Sequence, residues 1–483
     1  MNSSKTFLEV KTARYVLFLA FLVSIATTIL LQAVPAFAAT KSDLIPTKIT
    51  YTPSELIVGQ SIYFDSGIKN AGQTSTRTFN IKWFVNNVQV GYGSHSGIPA
   101  QKTVMDGNSQ LSYTFNAPGT YTIKFIVDCD NHISESNEKN NEKSIKVTVN
   151  AITQKVFVIN FDPIIEDIPS STIQPLASTP TLPARLHQAI RYYGEDWNDP
   201  SMSSKTYVND LLDASGNLVK YNIVEWVDLD EFPLLLNGHQ YDDKTFMSTF
   251  KAAKEERPDW WAYSGWVNSG FDFNYNYYLD RFNIPARVEK GEIDEVWIFG
   301  MPFSGMYESV MVGKTAYWCN STPIVRSDCR NFVIMGFNYE RGVGEMLENF
   351  GHRTESIMTH RFGRWDYNIP FNSMNKWEKF TLYDKVKPGK AACGNVHFAP
   401  NSTDDYQWGN TTNVLSTCND WKNNYPNLTG TSKPVNCSTW GNGDMRLHHI
   451  WWLSCIPKTS GTDAQGFLNN WWFYMSDLKN YPG

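Results

Sequence analysis

The sequence predicts a multidomain protein: an all-β sandwich, then an α/β domain with a mostly parallel sheet, closed by an irregular cap braced by disulfides. Three observations carry that prediction. Residues 42–149 hold short runs of Val, Ile, Tyr, Phe and Thr between regularly spaced turn signals, the pattern of strands buried on one face. From residue 155 onward, continuous apolar β-runs alternate with helical stretches, as a sheet covered on both faces requires. After about residue 365 the chain turns rich in Asn, Trp, Gly and Cys, and six of its seven cysteines lie between 319 and 455.

Residues 1–38 read as a secretory signal. Lys5, Lys11 and Arg14 form a basic start, Val16 to Leu31 an apolar run broken only by Ser24, Thr27 and Thr28. Ala36-Phe37-Ala38 then offers small residues at the two positions a signal peptidase reads. The apolar run is slightly long, so an uncleaved anchor is the alternative. No later stretch is apolar enough to span a bilayer. The expectation is a secreted or cell-surface protein with no membrane span after signal removal. A net charge of −6 argues against a nucleic-acid partner.

In residues 42–149 the expected strands are Ser61 to Ser66, Phe79 to Val85, Leu111 to Phe115, Thr120 to Asp128 and Ser144 to Val149, with a short run at Leu56-Ile57-Val58. Their spacing suggests a seven-strand sandwich with Trp83 as its core aromatic. Three motifs here carry a family resemblance: Ile68-Lys69-Asn70-Ala71-Gly72, Pro118-Gly119-Thr120-Tyr121, and Val127-Asp128 leading to Glu135-Ser136-Asn137-Glu138-Lys139-Asn140-Asn141. The segment resembles the CARDB module, the cell-adhesion-related domain found in bacteria. The resemblance implies an immunoglobulin-like sandwich that projects or positions another domain outside the cell. It implies no catalysis. Asp128, Asp130, Glu135 and Glu138 offer oxygen ligands for calcium, or ordinary turn chemistry.

A joint at 150–154 leads to the α/β domain, residues 155–483. Val156 to Phe161, Tyr221 to Val227, Glu295 to Phe299 and Phe332 to Phe337 are the apolar strand candidates. Pro183 to Tyr193, Lys205 to Ala214, Asp243 to Glu256 and Phe273 to Arg281 are helical candidates between them. In such sheets ligands bind beyond the carboxyl ends of the strands. For the cysteines, Cys319 with Cys329 and Cys418 with Cys437 are the economical local pairs, leaving Cys393 with Cys455 and Cys129 single. Other pairings stay open.

The stretch Gly342 to His360 is the candidate site. As a helix it places Glu345, Glu348, His352 and Glu355 within an arc of roughly 80°. Met346, Leu347, Phe350, Ile357 and Met358 fall opposite. The three carboxylates on this face repel one another unless a metal ion, an arginine or a protonated His352 offsets them. A solvated face is the plainer alternative.

Two chemistries compete. In a zinc site, His352 and Glu355, one helical turn apart, are joined by a remote His397, His448 or His449. This H-x-x-E is similar to that of zinc carboxypeptidases over four residues only. In a carboxylate pair, Glu308 acts with Glu345 or Glu348, one kept protonated by its neighbour. Nucleophilic catalysis is disfavoured, because no G-x-S-x-G occurs. The sequence therefore suggests an extracellular hydrolase acting on a polymer, glycan or peptide. The alternative is a non-catalytic adhesin binding glycan or protein through the sandwich and the aromatic cap, whose Trp297, Trp408, Trp421, Trp440, Trp451, Trp452, Trp471 and Trp472 stack on sugars or pack a core.

Overall fold

The computed structural model describes residues 40–105, 107, 109–169, 183–192, 197–255 and 272–483. The expected signal segment, 1–38, lies outside the described residues. Contacts divide the chain into two compact units, one built from residues up to Thr52, Tyr63–Ser112 and Tyr121–Val147, the other from Pro53–Ile62, Tyr113–Thr120 and Thr148–Gly483.

The N-terminal strands are β1 (Leu44–Thr52), β2 (Ser61–Asn70), β3 (Phe79–Val85), β4 (Val88–His95), β5 (Thr103–Val104), β6 (Leu111–Thr114), β7 (Gly119–Val127) and β8 (Glu142–Val149). They form two four-stranded sheets, β1-β2-β5 with β6 on β2, and β4-β3-β7-β8. β3 alternates strictly between buried and half-buried residues, so Phe79, Ile81, Trp83 and Val85 enter the core. Trp83 donates its indole N–H to the Ser109 carbonyl at 2.9 Å.

Eight strands replace the expected seven, and the difference lies at the edges. Leu56-Ile57-Val58 is not a strand. β1 carries Pro46 and a register shift between Pro46 and Ile49. β4 carries Gly91 and Gly93. Pro and Gly weaken a strand signal, yet each of these strands pairs on one side only, where Pro and Gly are tolerated.

The larger unit is built on β9 (Ile152–Phe161). A hairpin of β10 (Ile164–Pro169) and β11 (Pro183–Arg185) follows. Helices α1 (Leu186–Tyr192) and α2 (Pro200–Ala214) lead to β12 (Val219–Leu229). Helices α3 (Asp243–Lys254), α4 (Tyr275–Arg281) and α5 (Ile284–Glu289) precede β13 (Glu295–Gly300), β14 (Ser309–Gly313), β15 (Ile324–Val325) and β16 (Phe332–Asn338).

The sheet order is β12-β9-β13-β16-β14-β15. β12, β9, β13 and β16 pair in parallel, and β14 runs antiparallel to β16. β13 and β14 are buried at every position and β16 at all but Asn338, which explains their uninterrupted apolar sequences. β12 departs from expectation. It is an edge strand and leaves Lys220, Asn222, Val224 and Glu225 exposed.

The long helix α6 (Val343–Phe362) leaves β16 through a short turn. Beyond it come α7 (Lys376–Phe380), α8 (Cys418–Asn424), α9 (Met445–Cys455) and α10 (Trp472–Ser476). The expected disulfide bracing of this region is not seen among the described residues, where no two cysteines are bonded. Aromatic packing holds it instead. The Trp471 ring lies 6.2 Å from Trp377, 5.5 Å from Phe380 and 5.9 Å from Trp421. Trp297, Trp440, Trp452, Trp471 and Trp472 are core residues with relative exposure of 1% or less, so they offer no face to a sugar.

Candidate metal centre

Three segments meet on one side of α6. The first is α6 itself, whose apolar stripe of Met346, Leu347, Phe350, Ile357 and Met358 is buried. That burial sets the helix rotation and turns Glu348 and His352, one turn apart, to the same point. The second is the loop before β14. Because β14 is antiparallel to β16, Ser309 lies opposite Met335, and Glu308 arrives beside α6.

The third segment carries His397. Its turn is closed by Asn395, whose Oδ1 accepts the amide N–H of His397 at 3.1 Å and of Phe398 at 3.0 Å. Trp452 of α9 donates its indole N–H to the Gly394 carbonyl. On the α6 side, Glu355 accepts the Val396 amide N–H at 3.0 Å. Gly351 makes the approach possible. A Cβ there would lie 2.4 Å from Val396 Cγ2, so a glycine mid-helix, ordinarily costing about 1 kcal/mol against alanine, lets the loop sit against the helix.

The result is a convergent donor set. His352 Nε2 and His397 Nε2 face each other at 3.1 Å. Glu348 Oε1 lies 3.2 Å from His397 Nε2 and 3.9 Å from His352 Nε2. Glu308 Oε2 lies 3.9 Å from His352 Nε2 and accepts the Asn320 side-chain N–H. The far nitrogens are also held: Glu355 takes His352 Nδ1 at 3.0 Å and Asp405 takes His397 Nδ1 at 3.1 Å. Carboxylates accept, so each Nδ1 carries its proton and each Nε2 is aimed at the common point. A tetrahedral zinc site with bonds of about 2.0–2.1 Å has ligand–ligand edges of roughly 3.3–3.4 Å. The observed separations bracket that value.

The electrostatics match. Burial opposes charge on His352, but Glu348, Glu355 and Glu308 overcome it and push its pKa up to about 10. Burial likewise works against the Glu348 carboxylate, and hydrogen bonds from His352, His397 and Tyr406 hold it well below the usual range. The carboxylates favour positive charge at the centre of the cluster, which a proton on His352 supplies and a divalent cation would also supply. Beside it opens a cleft of about 570 Å³ lined in part by Tyr317, Trp318, Asn320, His352, Thr359 and Trp365.

Of the residues singled out from sequence, Glu308, Glu348, His352 and His397 come together. The others do not enter the donor set. Glu345 turns back to the helix start and accepts the Gly342 amide N–H at 3.0 Å, because a carboxylate in the first turn is drawn to free N–H groups. Glu355 orients His352 rather than joining it at the centre. His449 is fully buried, with its ring nitrogens 3.2 Å from the Gly344 carbonyl and 3.3 Å from that of Val396. Burial lowers its pKa to about 4. His448 is buried against Trp408, ring centroids 5.1 Å apart. Both belong to the packed face of α9.

Sequence reasoning missed Asn320, Asp405 and Tyr406. Tyr406 stands nine positions after His397 and its hydroxyl reaches His397 Nε2 at 3.0 Å. The Asp405-Tyr406 pair so close to a candidate ligand was the available signal.

In the sandwich, Asp128, Glu135 and Glu138 bring carboxylate oxygens together. Asp128 accepts the His132 and Ile133 amide N–H groups, and Glu138 that of Glu135, which is turn chemistry. Asp130 lies apart, bonded to Lys82, Tyr92 and Asn80.

The sequence of residues 41–145 matches the CARDB family. Residues 41–145 are a CARDB domain. Among similar solved structures is the CARDB domain of a Pyrococcus furiosus protein in complex with di-metal ions, 22% identical, covering 23% of this chain and 94% of that one, with a TM-score of 0.21. Another is a domain of a protein described as a cell-surface protein of Methanosarcina acetivorans, 20% identical, covering 23% and 92%, TM-score 0.19. A β-glucosidase of Listeria innocua is 14% identical, covering 23% of this chain and 16% of that one, TM-score 0.17. No curated protein matches this chain. The CARDB domain marks the chain as carrying a surface or adhesion-related module. Among the described residues, no helix is long and apolar enough to cross a membrane.

Proposed function

We propose that the unit following the CARDB domain is a divalent-metal hydrolase, zinc by its donor set, acting outside the cell on a polymer, glycan or peptide, with the CARDB domain as its surface module. The single observation that carries this reading is the pair of Nε2 atoms aimed at each other at 3.1 Å, with both Nδ1 atoms held by carboxylates. Two histidines and one glutamate, Glu348, are a donor set that zinc hydrolases use with one position left open. When bound, the ion supplies Lewis-acid polarisation and a nucleophile near neutral pH. Glu308 is one-third exposed, fixed by Asn320, and free to take a proton from water beside His352. Bound through Nε2, both histidines would keep their Nδ1 contacts, His352 with Glu355 and His397 with Asp405. The adhesin alternative loses most of its aromatic surface, because of the eight tryptophans named for it only Trp451 is not buried.

The test is metal content after incubation with zinc and gel filtration. About one equivalent per chain is expected, lost in His352→Ala and in His397→Ala while both variants still melt cooperatively. Glu308→Gln should keep the metal and lose turnover in a screen of polysaccharides and peptides. Wild-type protein that retains no zinc would overturn the reading.

A further inference from the structure

Tyr406 places its hydroxyl against two of the three members of the donor set. Its hydroxyl is 2.9 Å from Glu348 Oε1 and 3.0 Å from His397 Nε2. His397 Nε2 thus lies 3.0 Å from the Tyr406 hydroxyl, 3.1 Å from His352 Nε2 and 3.2 Å from Glu348 Oε1, while Glu348 Oε1 and His352 Nε2 are 3.9 Å apart. Nothing about a core tyrosine requires this placement. The residue is 46% exposed, and its ring lies over His397 with centroids 4.3 Å apart.

The backbone is arranged to put it there. Tyr406 has φ +56°, a left-handed conformation that bulky residues avoid and that clusters at functional sites. The surrounding loop holds that conformation. The Tyr406 N–H donates to the His397 carbonyl at 3.2 Å, and the Trp408 N–H to the Tyr406 carbonyl at 3.0 Å. Ser402 Oγ donates to the Gln407 carbonyl, and Thr403 donates to the Gln407 side chain. The loop is pinned on both sides of the tyrosine, while the ring itself remains open to solvent on one side.

We propose that Tyr406 is the fourth ligand of the metal centre at rest, and that an oxygen of the substrate displaces it. This rests on the metal-centre reading above. On ligation the phenol O–H breaks, the proton leaves to solvent and an oxygen lone pair passes to the ion. On displacement the oxygen regains a proton from solvent. An exposed ring on a pinned backbone can swing about its side-chain torsions without disturbing Glu348, His352 or His397. The substrate's oxygen then takes the position that the phenol leaves.

Copper(II) is the probe, because a phenolate ligand gives it a visible charge-transfer band that imidazole and carboxylate do not. Wild-type full-length protein loaded with about one equivalent of copper should show the band. Tyr406→Phe, which keeps the ring over His397, should lose it while binding the same amount of copper and melting as the wild type does. Stoichiometric copper without the band, or a band that survives in Tyr406→Phe, overturns the ligand role and leaves the metal centre standing. Failure of wild-type protein to bind copper or zinc at all overturns both. A Tyr406→Phe chain that no longer folds would be replaced by Tyr406→His, for which the same loss of the band is expected.

Discussion

Arg353 turns its guanidinium inward to Glu295 while His352, one position before it on α6, faces Glu348 and His397. Arg353 Nη1 donates to Glu295 Oε2 at 2.5 Å and Nη2 to the Met475 carbonyl at 2.7 Å. Both side chains of the ion pair are 1% exposed. Glu295 also accepts the Trp297 indole N–H. Burial works against the Arg353 charge, and Glu295 outweighs it. The pair thus locks the inner side of α6 to β13 and, with it, the rotation that presents Glu348 and His352.

Breaking that lock should be costly. Arg353→Met leaves the Glu295 carboxylate buried without a cation and should destabilise the chain by about 3–5 kcal/mol. Adding Glu295→Leu should recover much of the loss, because a buried ion pair is worth little over apolar packing. Denaturant melts of the two variants check this. A single variant within about 1 kcal/mol of wild type would show that the helix is held elsewhere.

Gly351→Ala tests the close approach of the His397 loop. Helix propensity alone favours alanine by about 1 kcal/mol. The clash with Val396 Cγ2 should reverse the sign, giving about 1–3 kcal/mol of destabilisation and weaker zinc binding as His397 is pushed back. A more stable variant with unchanged zinc affinity would refute the packing argument.

Glu355→Gln tests the orienting role assigned to Glu355. The amide cannot hold the His352 Nδ1 proton as firmly, so zinc affinity should fall by about 10–100-fold with little change in the apo melt. Competition titration against a chelator reads it directly. Were Glu355 itself a ligand, the loss would approach that of His352→Ala.

Glu135 makes the CARDB domain sensitive to pH. It is 3% exposed, and burial raises its pKa to about 7 despite bonds from the Leu44 amide and Asn141. Glu138 and Asp128 face it with like charge, and Lys41 donates to its backbone carbonyl. A raised folded-state pKa means that the stabilising contribution is full below the unfolded value. It is lost as pH rises through the folded one, so the domain's transition in the intact chain should fall between about pH 4.5 and pH 7. Glu135→Gln should flatten that slope. Calorimetry of both chains decides it, and equal slopes would remove the assignment.

The sequence by itself determined the CARDB motifs, the apolar strands at the sheet centre and the shared face of Glu348, His352 and Glu355. Each is a local pattern: strand and helix periods place side chains whatever the rest of the chain does. It left β1, β4 and β12 partly misread, because edge strands escape the burial that makes central strands legible. Which residues meet was decided by the tertiary structure. Glu308 reaches the centre only because β14 runs antiparallel to β16, and His397 only because Val396 packs onto Gly351 and donates to Glu355. The same packing withdrew His448 and His449 into the core and turned Glu345 to the Gly342 amide. A metal site depends on donor atoms within a few ångströms of one point, and residues 45 positions apart meet there only when the packing between them is complete.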